Sequence, residues 1–154
     1  MRRGLCILIG AVSGVMVSAG PLAAGEKDAF SNASLAGSYV YSNSSDGVAS
    51  FGVIAFDGEG GVNLDIRINA PQADGQRTTI AAQGSGRFSV SPNGIGTADI
   101  TISNGPMARL DYDFIIVDAD DGLAEEVFAV LRTGGVNNQL VHPTWSRRSG
   151  AGKD

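Results

Sequence analysis

From residue 36 onward the chain alternates apolar and polar positions in short runs. Leu64, Ile66 and Ile68 take every second place in one run, and Ala98, Ile100 and Ile102 do so in another. Phe88 and Val90 do the same over a shorter stretch. Leu110, Tyr112 and Phe114 alternate with aspartates before Ile115, Ile116 and Val117 turn apolar on both faces. A period of two sends one set of side chains inward and the other into water, which is the signature of a half-buried strand. Glu125 to Leu131 is the only segment that competes as a helix. Its β-branched and aromatic content favours a strand.

Turn signals separate these runs. Asp46-Gly47, Asp57-Gly58, Asp74-Gly75, Asn93-Gly94, Asn104-Gly105, Asp121-Gly122 and Gly134-Gly135 make seven turns between eight segments. Asx-Gly pairs tolerate the positive φ of tight hairpins. The predicted fold class is all-β: a small antiparallel up-and-down β-barrel of eight strands, with a two-sheet β-sandwich as the alternative. Closure removes the two exposed edges that a flat meander would leave. Gly52 and Gly86 within strands suit the bends a small barrel needs, and Gly84-Ser85-Gly86 suits a bulge. The residues expected to face inward, as core or as cavity wall, are Leu64, Ile66, Ile68, Phe88, Val90, Ile100, Ile102, Tyr112 and Phe114.

The N-terminus has a different pattern. Met1-Arg2-Arg3 is basic, Gly4 to Val17 is uncharged and mostly apolar, and small residues follow at Val17-Ser18-Ala19 and Leu22-Ala23-Ala24. This is the three-part pattern of a signal peptide helix, and the apolar run is shorter than a bilayer span. Arg2-Arg3 also satisfies the start of a twin-arginine signal. Four parts are expected: a signal peptide at 1–24 (cleavage after Ala24, or Ala19), a lead-in segment at 25–35, a barrel domain at 36–148 and a polar tail at 149–154. The mature protein is placed in the periplasm or outside the cell, with no membrane span.

Cleavage changes charge and chemistry. The only cysteine, Cys6, leaves with the signal, which removes thiol chemistry, disulfides and thiolate zinc sites. The whole chain has 11 basic and 16 acidic residues; without Arg2 and Arg3 the balance is 9 against 16, net −7. That balance argues against nucleic acid and anionic membranes as partners.

Several pieces, taken in order, resemble a known group. These are Ser34-Leu35-Ala36-Gly37-Ser38-Tyr39-Val40-Tyr41, Gly52 to Gly60, Gly86 to Val90 followed by Asn93 to Thr97, and Asp113 to Asp118. Together they resemble uncharacterised small exported bacterial proteins that are similar to calycin-like barrels, the fold of lipocalins and allene oxide cyclases. Most of residues 34 to 147 is covered. The resemblance implies a barrel and no particular activity. Where that group often carries a cysteine, this chain has Gly94 and its neighbours. Lipocalins open on Gly-x-Trp; here Gly37-Ser38-Tyr39 stands instead. The resemblance then implies that Tyr39 closes the barrel floor with Trp145 or Arg147 packed nearby.

No catalytic constellation stands out. His142 is the only histidine, and no Gly-x-Ser-x-Gly elbow accompanies it, so a structural or surface role is expected on the last strand. Asp118-Ala119-Asp120-Asp121-Gly122 resembles half of a calcium loop, but the twelfth position is Ala129 rather than glutamate. Glu125 and Glu126 leave a weak adventitious cation site open there. Asp57-Gly58-Glu59-Gly60-Gly61 lacks the lysine of a phosphate loop and reads as a hairpin turn. Asp65, Asp99, Asp111 and Asp113 alternate with apolar residues and are expected on the solvated outer face, unsuited to acid–base work. No catalytic residue, metal or cofactor is assigned. Alanines and glycines share strands with the aromatics, so a lumen holding a small apolar molecule is the leading function and a non-enzymatic role is favoured. A solid-core interaction or structural module of the cell envelope is the alternative, and a cavity-type isomerase or cyclase comes third.

Overall fold

The computed structural model describes residues 29–45, 47–105, 107–133 and 142–148. The expected signal peptide, the polar tail and the Gly134-Gly135 turn lie outside them. Eight strands close into one antiparallel barrel in chain order, which excludes the two-sheet alternative. They are β1 (Gly37–Ser45), β2 (Val48–Phe56), β3 (Gly61–Pro71), β4 (Arg77–Val90), β5 (Ile95–Asn104), β6 (Arg109–Asp120), β7 (Leu123–Thr133) and β8 (Thr144–Arg147).

The connections fall where the turn pairs are. Each described turn glycine has a positive φ, from 77° at Gly122 to 153° at Gly105. Asp121 joins them at 48°, the one non-glycine residue in that region among those described. Gly52 and Gly86 mark places where neighbouring strands curve into one another. A Cβ on Gly52 would stand 2.1 Å from the Asp65 carbonyl, and one on Gly86 would stand 1.8 Å from that of Asp99. The register shifts between Gln83 and Gly84, where Ser103 of β5 is the extra residue; the bulge lies on β5, and Gly84-Ser85-Gly86 itself pairs regularly.

Alternation places apolar side chains inside and polar ones outside over most of the wall, the reverse of a lipid-spanning barrel. Among the described residues no helix is long and apolar enough to cross a membrane.

The lead-in is more structured than its composition suggests. Asn32–Leu35 forms a 3-10 turn that lies under the barrel floor, and Leu35 is fully buried there. The Asn32 side chain accepts a bond from the Val90 amide at 2.9 Å, and the Phe30 amide donates to the Pro92 carbonyl at 3.2 Å. A segment without periodicity gives no strand or helix signal, yet one buried leucine and two anchoring bonds suffice to order it.

Closure depends on β8, which spans only four residues. It pairs with β1 from Tyr39↔Arg147 to Ser42↔Thr144 and with β7 from Glu126↔Ser146 to Phe128↔Thr144. Arg147 locks this seam. Its guanidinium donates to the Ala36 carbonyl at 2.9 Å, the Ala124 carbonyl at 3.0 Å and the Tyr39 hydroxyl at 3.2 Å. It also pairs with Glu125 at 3.2 Å and lies 5.4 Å above the Tyr39 ring. Gly37, with a φ of 122°, gives the guanidinium room to pass. Tyr39 in turn donates to the same Ala124 carbonyl at 3.0 Å.

Replacing Arg147 by Met keeps the stem and removes every bond. We expect Arg147→Met to lower the unfolding free energy by roughly 2–3 kcal/mol, read by urea denaturation. A loss below about 0.5 kcal/mol would show that the seam holds without it.

Candidate functional site

Two regions can carry function in such a barrel, the lumen and the outer wall. Of the side chains read from the sequence as inward, Leu64, Ile66, Ile68, Phe88, Ile100, Tyr112 and Phe114 are buried in one continuous core. Val90 and Ile102 are half-buried and pack against it. Trp145 occupies the centre, with its ring 5.5 Å from Phe56, 5.6 Å from Tyr112 and 5.4 Å from Phe114. Phe56 continues the cluster to Phe88 at 4.9 Å and to Tyr39 at 5.6 Å. Offset and edge-on contacts of this kind fill space efficiently.

The small residues do not open that interior. Ala49, Ala55 and Ala81 point outward, away from the lumen. Ala82, Ala98 and Ala129 point inward and are fully covered by larger neighbours. From Leu35 at the floor through Tyr39, Trp145 and Tyr112 to Ile100, the inward side chains retain no surface that water can touch.

A polar chain crosses the packed lumen. The Tyr41 and Tyr112 hydroxyls share a hydrogen bond at 3.2 Å. Nearby, the Asn43 amide donates to the Ser50 hydroxyl at 3.5 Å. Among the described residues, two buried side-chain atoms have no hydrogen-bond partner, Asn43 Oδ1 and Trp145 Nε1. Each such orphan costs about 1–3 kcal/mol. Nothing in the alternation pattern marks this chain; it needs the register that sets Tyr41 beside Trp145.

Burial raises the pKa of all three tyrosines, Tyr39, Tyr41 and Tyr112, and so disfavours their phenolates. Tyr112 is pushed furthest, by burial first and then by its closeness to Tyr41. A raised phenol stabilises the fold fully below the unfolded value, near 10, and that contribution fades as pH rises through the folded value. In an alkaline titration the phenolate absorbance is therefore expected to rise together with loss of the β-sheet circular dichroism. Phenolate forming near pH 10 in an intact barrel would contradict the sealed lumen.

The outer wall departs from the polar norm at Val40 and Phe51 on β1 and β2, and as a continuous row on β5 to β7. Ile95, Ile115 and Phe128 are register partners across β5, β6 and β7, and their residues are 41–49% exposed. Val117 extends the row down β6 at 54% exposure. The His142 ring stacks on Phe128 at 6.2 Å and 8°, just before β8 rather than on it. The sequence signal was the run Phe114-Ile115-Ile116-Val117, apolar on both faces; Ile95 and Phe128 join only through register.

Charged groups flank this row. Above it, Arg109 pairs with Asp99 and Asp111, and Arg132 pairs with Asp99 and Asp113. Hydrogen bonds to Asp111 and Asp99 hold the Arg109 guanidinium above its ordinary value. Asp65, Asp99 and Asp113 are on the solvated face as expected. Asp111 is not: its position in the alternation is outward, but its side chain is only 12% exposed and bonded to Arg109. Alternation gives direction, not what lies over a side chain.

Below the row, the β6–β7 turn carries Asp118, Asp120, Asp121, Glu125 and Glu126. Asp118 accepts its neighbour's amide at 2.9 Å and Glu125 pairs with Arg147. Among the described residues no three acidic, histidine or cysteine side chains converge on a metal-sized point. At Asp57 the carboxylate accepts the amides of Glu59, Gly60 and Gly61 at 2.8–2.9 Å, which makes that glycine-rich segment a closed hairpin turn.

Compared with known proteins, the chain matches no family model, no curated protein and no solved structure.

Proposed function

We propose that this protein is an exported, non-enzymatic barrel that works through its outer wall, as an interaction module of the cell envelope. The observation that carries this reading is the in-register apolar row Ile95–Ile115–Phe128, extended by Val117; the other exposed large apolar side chains, Val40, Phe51 and Leu123, are not register partners of one another. An exposed, contiguous apolar row rimmed by charge is the usual mark of a contact surface. The aromatic packing around Trp145 adds weight, since it leaves the centre of the lumen little room for a guest. Kinship with calycin-like barrels belongs to the same proposal, supported by Arg147 seated over Tyr39 where the resemblance expects a floor.

A second reading keeps the lumen as the site. A small, mostly apolar molecule bearing one donor and one acceptor would satisfy Asn43 Oδ1 and Trp145 Nε1, the two buried atoms left without partners. It requires the inward side chains to part.

One titration separates the readings. An environment-sensitive apolar dye is added to the native protein and to an Ile115→Ser/Phe128→Ser double variant. Saturable dye binding that falls at least about tenfold in the variant supports the wall, because two exposed apolar anchors are lost. Binding unchanged by the substitutions, with a shift in Trp145 emission, moves the site to the lumen and overturns the first reading.

A further inference from the structure

One apolar run lies outside the described residues: Gly4 to Val17, uncharged and set behind Arg2 and Arg3. The chain leads from it to one end of the exposed row. The described part begins at Ala29, and the Phe30 amide donates to the Pro92 carbonyl at 3.2 Å. The Phe30 ring packs on the core beside Gly94, where an added Cβ would lie 3.0 Å from the ring and 3.6 Å from Ile116. Ile95 follows Gly94, and Ile115 and Val117 flank Ile116. The chain therefore enters the barrel at the β5 end of the row.

Resting on the outer-wall reading, we propose that in the uncleaved chain the row is covered by the chain's own apolar run, Gly4 to Val17, and is freed for a partner only when that run is removed. Length permits this. Residues 18–28 join the run to the barrel, and eleven residues reach about 36 Å when extended. The row is about 10 Å across, two strand spacings. The fourteen residues of the run outspan it even at the compact rise of a helix, about 21 Å in all.

Charge sets the direction. Glu126 stands outward on β7, two places below Phe128, and Asp118, Asp120 and Asp121 lie at the β6–β7 turn. None of these four meets a basic side chain among the described residues. The arginines above the row, Arg109 and Arg132, already meet aspartates. Arg2 and Arg3 therefore go to the β7 end, and Val17 stays at the β5 end, where the tether is anchored. The reverse order would bring the two arginines to Ser91, Pro92 and Asn93, which carry no charge. Each apolar surface takes the other out of water, and the tether holds them at a high effective concentration, so a modest area suffices. Cleavage after Ala24 or Ala19 cuts the tether and ends that advantage.

Cys6, the only cysteine, lies near the arginine end of the run and is the probe. In the full chain a second cysteine is placed at Ser146, exposed on β8 beside Glu126, or at Asn63, exposed on β3 away from the row. Oxidised glutathione at high dilution closes an intramolecular disulfide, read by mass spectrometry and gel mobility. Ser146→Cys is expected to close at least about tenfold faster than Asn63→Cys. Adding Ile115→Ser/Phe128→Ser is expected to bring it down to the Asn63→Cys rate, and Arg2→Glu/Arg3→Glu to slow it at least about threefold. Circular dichroism confirms that each variant is folded. Equal rates at the two sites, or a Ser146→Cys rate that neither set of substitutions changes, overturn the docking. Dye binding to the protein cleaved after Ala24 separates the two readings. Equal rates with dye bound at the row keep the outer wall and remove only this occupant; equal rates with no dye bound overturn both.

Discussion

The barrel depends on one side chain that joins its two ends. Arg147 reaches the segment before β1, the hydroxyl of Tyr39 on β1 and a carbonyl on β7, all from the last strand. With β8 contributing only four residues, the ladder on either side of the seam is short. Without disulfides to hold it, the seam relies on charge-assisted bonds to carbonyls and on the ring beneath the guanidinium. Those bonds are strong because the guanidinium is largely shielded from water and each acceptor is fixed in a strand or cap.

Closure at that seam brings Trp145 into the centre of the lumen, and the rest of the interior arranges itself around the indole. Phe56 meets it from β2, and Phe114 and Tyr112 meet it from β6. The bulk of these rings explains why the inward alanines Ala82, Ala98 and Ala129 are fully buried: a large side chain covers a small one opposite it. It also explains why polar groups are trapped there. Tyr41 and Tyr112 supply aromatic volume, and their hydroxyls must then find each other. The outer wall faces no such demand for volume, so its apolar row stands out as a feature the fold does not require.

Much of this architecture was legible in the sequence. Turn pairs gave strand number and order, because a glycine at positive φ is a local requirement and leaves a local trace. Alternation separated Leu64, Ile66 and Ile68 from their outward neighbours for the same reason. What depends on non-local pairing could not be read. Whether alanines opened a cavity turned on which of them faced inward beside which ring, and the neighbours Ala81 and Ala82 differ in this, Ala82 being fully buried and Ala81 only half-buried. Asp111 looked solvated until its contacts were known. The apolar row left half a trace, in the doubled apolar run of β6, and became a surface only when register laid Ile95 and Phe128 beside Ile115.

The seam also sets an order in time. Tyr39 and Arg147 are 108 positions apart, so a chain threaded from its N-terminus exposes β1 long before its partner strand arrives. The hairpins from β1 to β7 can form as they emerge, but until β8 appears the sheet has two open edges and a half-lined interior. Contacts between such distant positions are the slow ones in folding. Until β8 arrives, a protein built this way is an unfinished sheet, and the four residues of that strand convert it into a closed barrel.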